Sequence, residues 1–283
     1  MLPRRLRPRL LPHRYSEDDA LQVLGQPRRA ALGPVIRCLV WNILKARRAR
    51  WTRDFTDLVA DRDLVLLQEA VLGAPSDRLF TSSERFEWVM ARSFRHPRTG
   101  VEHGVKTGCA ARSDARGFYL SPHVEPVSNT PKLLLVTRYP LEGESATLLV
   151  LNMHAINFVS IGKYADQLEQ LARALEAHVG PVILAGDFNT WSPGRLERFV
   201  EVAAGAGLSE AAMDRKSRLA HLNSHLDHVF YRGLALRKVS SLGFVRSSDH
   251  APITATFVRE RPSVRSVAAG SADLGAARAL REP

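Results

Sequence analysis

Six apolar, strand-like runs in this 283-residue chain each border a polar or ionisable side chain. Asn42 closes VIRCLVW, Glu69 closes LVLLQ, Asn152 and His154 close TLLVL, and Asp187 and Asn189 close VILAG. Asp227 opens HVFYR, and Asp249 with His250 precedes APITATF. Strand ends along one edge of a sheet are where open α/β folds place their ligands. A buried carboxylate without a partner costs several kcal/mol. Glu69, Asp187, Asp227 and Asp249 therefore either face solvent in turns or converge on cations and on one another.

The remaining text alternates between short apolar runs and a few helical stretches. Residues 47–60 carry Trp51, Phe55, Leu58 and Val59 on one helical face, and residues 163–179 place Leu168, Leu171, Ala172 and Leu175 at i, i+3, i+4 and i+7 before Gly180 and Pro181. A third helix is expected over residues 193–204. Many strands with few helices point to an α/β sandwich in which helices cover strand-rich sheets. A single domain over residues 34–258 is the simplest division, between a basic flexible tail at 1–33 and a second flexible tail at 259–283. No P-loop and no G-x-G-x-x-G run occurs.

Hydrophobic residues at 45% and charged residues at 24% match a globular chain, which excludes wholesale disorder. The formal charge of +11 invites a nucleic-acid reading, but +4 of it lies in residues 1–33 and +2 in residues 259–283. No apolar run approaches the ~18 residues that would span a bilayer, so no transmembrane segment is expected. The basic N-terminus lacks a following apolar stretch of the secretory kind. Cys38 and Cys109 sit in apolar text as buried free thiols that suit a reducing cytoplasm. A monomeric cytoplasmic protein is the expectation.

Converging carboxylate oxygens suit Mg²⁺ or Mn²⁺, and two histidines beside them would supply donors to a phosphoryl oxygen. That combination describes metal-assisted phosphoester hydrolysis. The strings LVWNI, LVLLQEA, NMHAINF, GDFN and SDHAPI, in this order over about residues 35–258, resemble the endonuclease/exonuclease/phosphatase superfamily of Mg²⁺-dependent phosphoesterases. LVWNI, HAINF, GDFN with Trp191, and VFYRGL are most similar to its YafD-like bacterial branch. The resemblance implies a four-layer α/β sandwich, with two packed, mainly antiparallel β-sheets flanked by helices.

It also implies roles. Glu69 would be the principal metal ligand with Asn42 beside it, and Asp249 would complete the metal or water network. Asp187 would orient and deprotonate the attacking water, while Asn189 would steady a phosphoryl oxygen. His250, held in its tautomer by Asp227, would stabilise the transition state. His154 matches the second phosphate-binding histidine of the deoxyribonuclease I and sphingomyelinase branches. Asn152 and Arg47 are candidate substrate contacts, Arg47 as the start of a loose stripe with Arg50 and Arg53. Trp191 is either a loop anchor or a stacking surface.

Substrates left open are nucleic acid, lipid headgroups and small phosphoesters. Residues 92–131 and 155–162 are the expected selectors, since loops choose the substrate in such folds. A non-enzymatic alternative is a catalytically silent nucleic-acid-binding protein, motivated by the Arg-rich tails. A second metal reading groups His221, His225 and His228 around Zn²⁺, but their text reads more as a loop entering a strand. Strand alternation puts Asp227 and His228 on opposite faces, with Asp227 the one toward the site.

Overall fold

The computed structural model describes residues 12–16, 19–213 and 226–259. Its strands are β1 (His13–Arg14), β2 (Leu21–Leu24), β3 (Val35–Asn42), β4 (Leu64–Leu72), β5 (Glu87–Arg95), β6 (Glu102–Cys109), β7 (Ala115–Val124), β8 (Pro131–Pro140), β9 (Thr147–His154), β10 (Val182–Asp187), β11 (Ser209–Glu210), β12 (Asp227–Arg232), β13 (Leu234–Ser241) and β14 (Ile253–Arg259). Its α-helices are α1 (Trp51–Val59), α2 (Arg78–Thr81), α3 (Ile161–Glu176) and α4 (Pro193–Gly205). One sheet runs β1-β5-β6-β4-β3-β14-β13, with β2 also on β5, and the other runs β11-β12-β10-β9-β8-β7. Pairing is antiparallel except between β3 and β4 and between β9 and β10.

Alternation along the strands builds the layers. Ile36, Cys38 and Val40 of β3 meet Val150 of β9 and Ile183 and Ala185 of β10 in a core between the sheets. The opposite faces pack outward: Leu39 and Trp41 against Trp51 and Phe55 of α1, and Leu151 and Leu184 against Leu168 and Leu171 of α3. Helices, sheet, sheet, helices is the expected four-layer sandwich. Cys38 and Cys109 are buried free thiols in the middle. Among the described residues no helix is long and apolar enough to cross a membrane.

Three expectations are corrected. Part of the stretch before residue 34 is not a flexible tail, because β1 and β2 pair with β5 and satisfy its outer edge, while Ala20 and Leu32 are fully buried. Residues 260–283 of the second tail lie outside the described residues. The first helix starts at Trp51 and not at 47, since Leu44, Lys45, Ala46 and Arg50 all take positive φ. The segment 92–131 is not one long loop: it holds the end of β5 and all of β6 and β7, and in β7 half-exposure hides the alternation.

The inner faces of β4 and β9 end in a polar bridge. Gln68 Nε2 donates to Asn152 Oδ1 at 2.7 Å, and Asn152 Nδ2 donates to Lys106 O at 3.1 Å and Thr107 Oγ1 at 3.2 Å. Asn152 is fully buried, so the expected substrate contact is instead a pin between the sheets. Gly186 lets the second sheet close up behind it, since a Cβ there would lie 1.9 Å from Met153 O.

Replacing Asn152 with Leu strands Gln68 Nε2 and the β6 acceptors, and is expected to cost on the order of 2–4 kcal/mol in urea unfolding. Lys106 supplies a second stability prediction. Its ammonium lies 3.5 Å from the centre of the Phe80 ring and, among the described residues, donates to Val71 O alone, at 3.1 Å; burial pulls its pKa down from 10.5 to about 7. Between those values the unfolded chain binds the proton that the folded chain has lost, so this group's destabilisation is full below about pH 7 and relaxes as pH rises. Lys106→Met is expected to stabilise the fold by a few kcal/mol at pH 7, with the advantage over the native chain shrinking toward pH 10 in thermal melts.

Candidate active site

The same inward faces that carry the core turn polar at one end of the sandwich. Parallel pairing of β9 with β10 sets His154 opposite Asp187, and antiparallel pairing of β10 with β12 sets Asp227 on the other side of Asp187. Asn42 ends β3 on the facing sheet and donates from Nδ2 to Asp187 Oδ2 at 3.0 Å. His154 Nε2 lies 3.6 Å and His250 Nε2 3.9 Å from that same oxygen. One carboxylate oxygen is thus ringed by an amide and two imidazoles, all buried.

The ring nitrogens are set by their other partners. His250 Nδ1 is 2.7 Å from Asp227 Oδ2, which leaves Nε2 for the site. Burial disfavours the His250 imidazolium, but the charge and hydrogen bond of Asp227, with Asp187 and Asp249 behind, raise its pKa to about 10. His154 goes the other way: burial, then Lys132, His250 and Lys45, hold it well below the ordinary imidazole range. Burial and the Asp227 charge push Asp187 up to about 6, against His250, the Asn189 N–H and the Asn42 amide. The site therefore presents a charged donor and a neutral imidazole around a carboxylate with base strength.

The SDH loop is stitched to β3. Trp41 Nε1 donates to His250 O at 3.0 Å, Ser248 Oγ to Asn42 O at 2.6 Å, and Arg48 Nη1 to Ser248 O at 2.6 Å. Asp249 is half-buried, with Oδ1 accepting from Ser248 Oγ at 3.3 Å. The GDFN turn is fastened by buried Arg195, whose Nε donates to Asn189 O at 2.8 Å and which also bonds Ile156 O. Asn189 takes φ +50, which departs from the extended backbone that would aim its side chain with that of Asp187. Its N–H steadies Asp187 Oδ1 at 3.0 Å, and its Nδ2 donates to Ala155 O at 2.8 Å.

Glu69 reaches the site through a β-bulge. The β4–β6 register slips between Leu67 and Ala70, and Glu69 takes φ +49. Without the extra residue, alternation would send Glu69 outward with Leu67; the bulge re-aims it. Lys45 Nζ meets Glu69 Oε2 at 2.5 Å. Burial pushes the Glu69 carboxyl up, but Lys45, Lys132 and His250 together carry it below its usual value.

Arg47 is exposed and outside α1, so the expected helical stripe with Arg50 and Arg53 does not form; Arg48 takes the structural contacts instead. Trp191 is half-exposed, anchored by its indole N–H on Asn157 Oδ1 at 2.8 Å. His228 faces away from Asp227, with Nε2 2.8 Å from Thr190 Oγ1 and Nδ1 3.0 Å from Glu210 Oε1. Both of its nitrogens are engaged away from the site, and His221 and His225 lie outside the described residues. Lys45 and Arg195 contribute to the site without a sequence signal, whereas Gln68 lies inside the LVLLQEA string and Ser248 inside SDHAPI.

The donor set fits a hard divalent cation. Glu69 offers a carboxylate now balanced by an ammonium, and Asp227 Oδ1 is buried with no hydrogen-bond partner among the described residues. Asp187, Asp227 and His250 place candidate ligand atoms within 4.8 Å of one another. A His250 that donates to Asp227 is a poor ligand, which leaves the oxygen donors as the better cradle.

Residues 39–250 match the model of the endonuclease/exonuclease/phosphatase family. A UPF0294 protein of Yersinia enterocolitica is 37% identical over 227 residues, covering 78% of this chain and 83% of its own. The crystal structure of an endonuclease/exonuclease/phosphatase from Beutenbergia cavernae superposes with a TM-score of 0.61 at 17% identity, covering 82% of this chain and 73% of that one. A mannosyl-6-phosphatase of Bacteroides thetaiotaomicron gives 0.57 at 15% identity over 79% of this chain and 99% of its own. The chain belongs to the endonuclease/exonuclease/phosphatase family.

Proposed function

We propose that this protein is a divalent-metal-dependent phosphoester hydrolase that cleaves phosphodiesters. The observation that carries the reading is the buried Asp187 Oδ2, ringed by Asn42, His154 and His250. Glu69, with Asn42 and Asp249, would hold Mg²⁺ or Mn²⁺, which when bound neutralises phosphoryl charge. Asp187 orients a water and takes its proton, its own orientation fixed by the Asn189 N–H and the Asn42 amide. His250, charged and backed by Asp227, donates from Nε2 to the phosphoryl oxygen on which negative charge grows. Neutral His154 donates to a second oxygen. The cleft continues past Glu69 and His154, and that room for a second ester substituent favours a diester over a monoester.

Nucleic acid, lipid headgroups and small diesters are all accommodated by this chemistry. A silent binding protein is disfavoured because no position of the family's pattern is replaced. A Mn²⁺-supplemented panel of DNA, RNA, sphingomyelin and bis(p-nitrophenyl) phosphate is the test, with chelator-treated protein and Asp187→Ala as blanks. Asp187→Ala and His250→Ala are each expected to lower the rate by about 10²- to 10⁴-fold. Activity on none of the four, or activity indifferent to Asp187→Ala, would sink the proposal.

The pH profile gives an independent check. His250 keeps its proton to about pH 10, so the alkaline limb of kcat is expected near that value. Asp227→Asn removes the charge that does most to hold this proton, leaving only Asp187 and Asp249 against burial, and the limb should move to lower pH. An unmoved limb would show that His250 is not the donor.

A further inference from the structure

A cleft of about 200 Å³ opens beside Glu69 and His154, lined among others by Lys45, His103, Glu125 and Lys132. It is smaller than the ~300–1,000 Å³ of pockets that enclose drug-sized ligands, a size suited to one small charged group. Its two ammonium groups arrive from different sheets. Lys132 opens β8, with Nζ 3.4 Å from Glu125 Oε1, and Lys45 comes from the turn after β3. Leu44, Lys45 and Ala46 take φ values of 46, 60 and 54. Three successive non-glycine residues in the left-handed region are costly, and the turn they make carries Lys45 onto Glu69.

As it stands the cleft is balanced, with Lys45 on Glu69 and Lys132 on Glu125. Its histidines add no charge near neutral pH: burial, with Lys45, His96 and Arg47 nearby, lowers His103 to about 4, and burial holds His154 well below its ordinary range. His103 stacks on Phe94, and its Nδ1 has no hydrogen-bond partner among the described residues. Ser128 and Thr130 add hydroxyls on the same wall. Once Glu69 is committed to a divalent cation, Lys45 loses its counter-ion and the cleft carries an excess of positive charge.

From this arrangement, and resting on the hydrolase reading above, we propose that Lys45 and Lys132 form an anion subsite that takes a second phosphate of the substrate, beside the phosphate being cleaved. Glu125 holds Lys132 in place and also accepts the Asn157 N–H at 3.2 Å, which ties the subsite to the β9–α3 loop. The preferred substrate is then a phosphoester with two anionic groups. Either a neighbouring phosphodiester of a nucleic acid or a phosphorylated small headgroup supplies that chemistry.

Binding to the Mn²⁺-loaded full chain, measured by calorimetry, tests this without turnover. Two matched pairs separate the sources: thymidine 3′,5′-bisphosphate against thymidine 5′-monophosphate, and inositol 1,4-bisphosphate against inositol 1-phosphate. The expected result is about tenfold or greater preference for the bisphosphate in at least one pair. Lys132→Gln and Lys45→Met should each bring that ratio close to one, while Lys132→Arg retains it. Circular dichroism checks that each variant is folded. Preference in the nucleotide pair alone identifies a nucleic-acid source, and in the inositol pair alone a headgroup. No preference in either pair, or a preference that both charge-removing variants leave intact, overturns the subsite. If the preference holds but no diester is hydrolysed, the hydrolase reading falls and the subsite stands.

Discussion

Everything at the site depends on two sheets being packed face to face in one fixed register. Asn42 and Glu69 belong to one sheet, His154, Asp187 and Asp227 to the other, and His250 arrives on the loop into β14. No single sheet contains the arrangement. Alternation makes each inner face apolar for most of its length, and the same period carries Asn42, Asn152, His154 and Asp187 onto that face at its end. The Gln68–Asn152 bridge lies directly behind the site. A hydrogen bond between two amides has narrower geometric tolerance than an aliphatic contact, so it fixes how far one sheet can slide on the other.

The second constraint is a buried charge. Taking the Asp187 carboxylate out of water costs several kcal/mol, and the fold returns that with an amide, a backbone N–H and an imidazolium that Asp227 holds charged. The Asp187 and Asp227 carboxylates repel each other across the same ladder pair, which is part of why the Asp187 proton affinity rises. His250 sits between them. Stability and base strength are set by the same few contacts.

Much of this was legible in the sequence because strand ends are local: apolar runs that stop at Asn42, His154 and Asp187 or start at Asp227 mark both the strands and the site. What escaped needed information that no local pattern holds. Glu69 was marked by the apolar run it closes, but the bulge that turns it inward was not, because bulges depend on the partner strand. Asn152 looked like a site residue because it shares a face with His154, but it lies one pair deeper, where the sheets meet. Lys45 is hidden by a left-handed turn that its own residues disfavour. The β7 strand is hidden by half-exposure, since a strand on the rim of a sheet has no need of clean alternation.

Net charge says less about this protein than the placement of a few charges. The excess of +11 is spread over the whole chain, with six of those charges in residues 1–33 and 259–283. Exposed charges farther apart than a Debye length, about 8 Å at physiological salt, act weakly on one another. Lys45 and Lys132 are only partly exposed, at 28% and 19%, and both act on Glu69 and His154. Partial burial lowers the local dielectric, so two such ammonium groups shape the field at the site more than a larger number of distant arginines can. In the proposed reaction, discrimination among anionic substrates therefore rests on the turn after β3 and the start of β8, while the strand ends that identify the family supply chemistry common to them all.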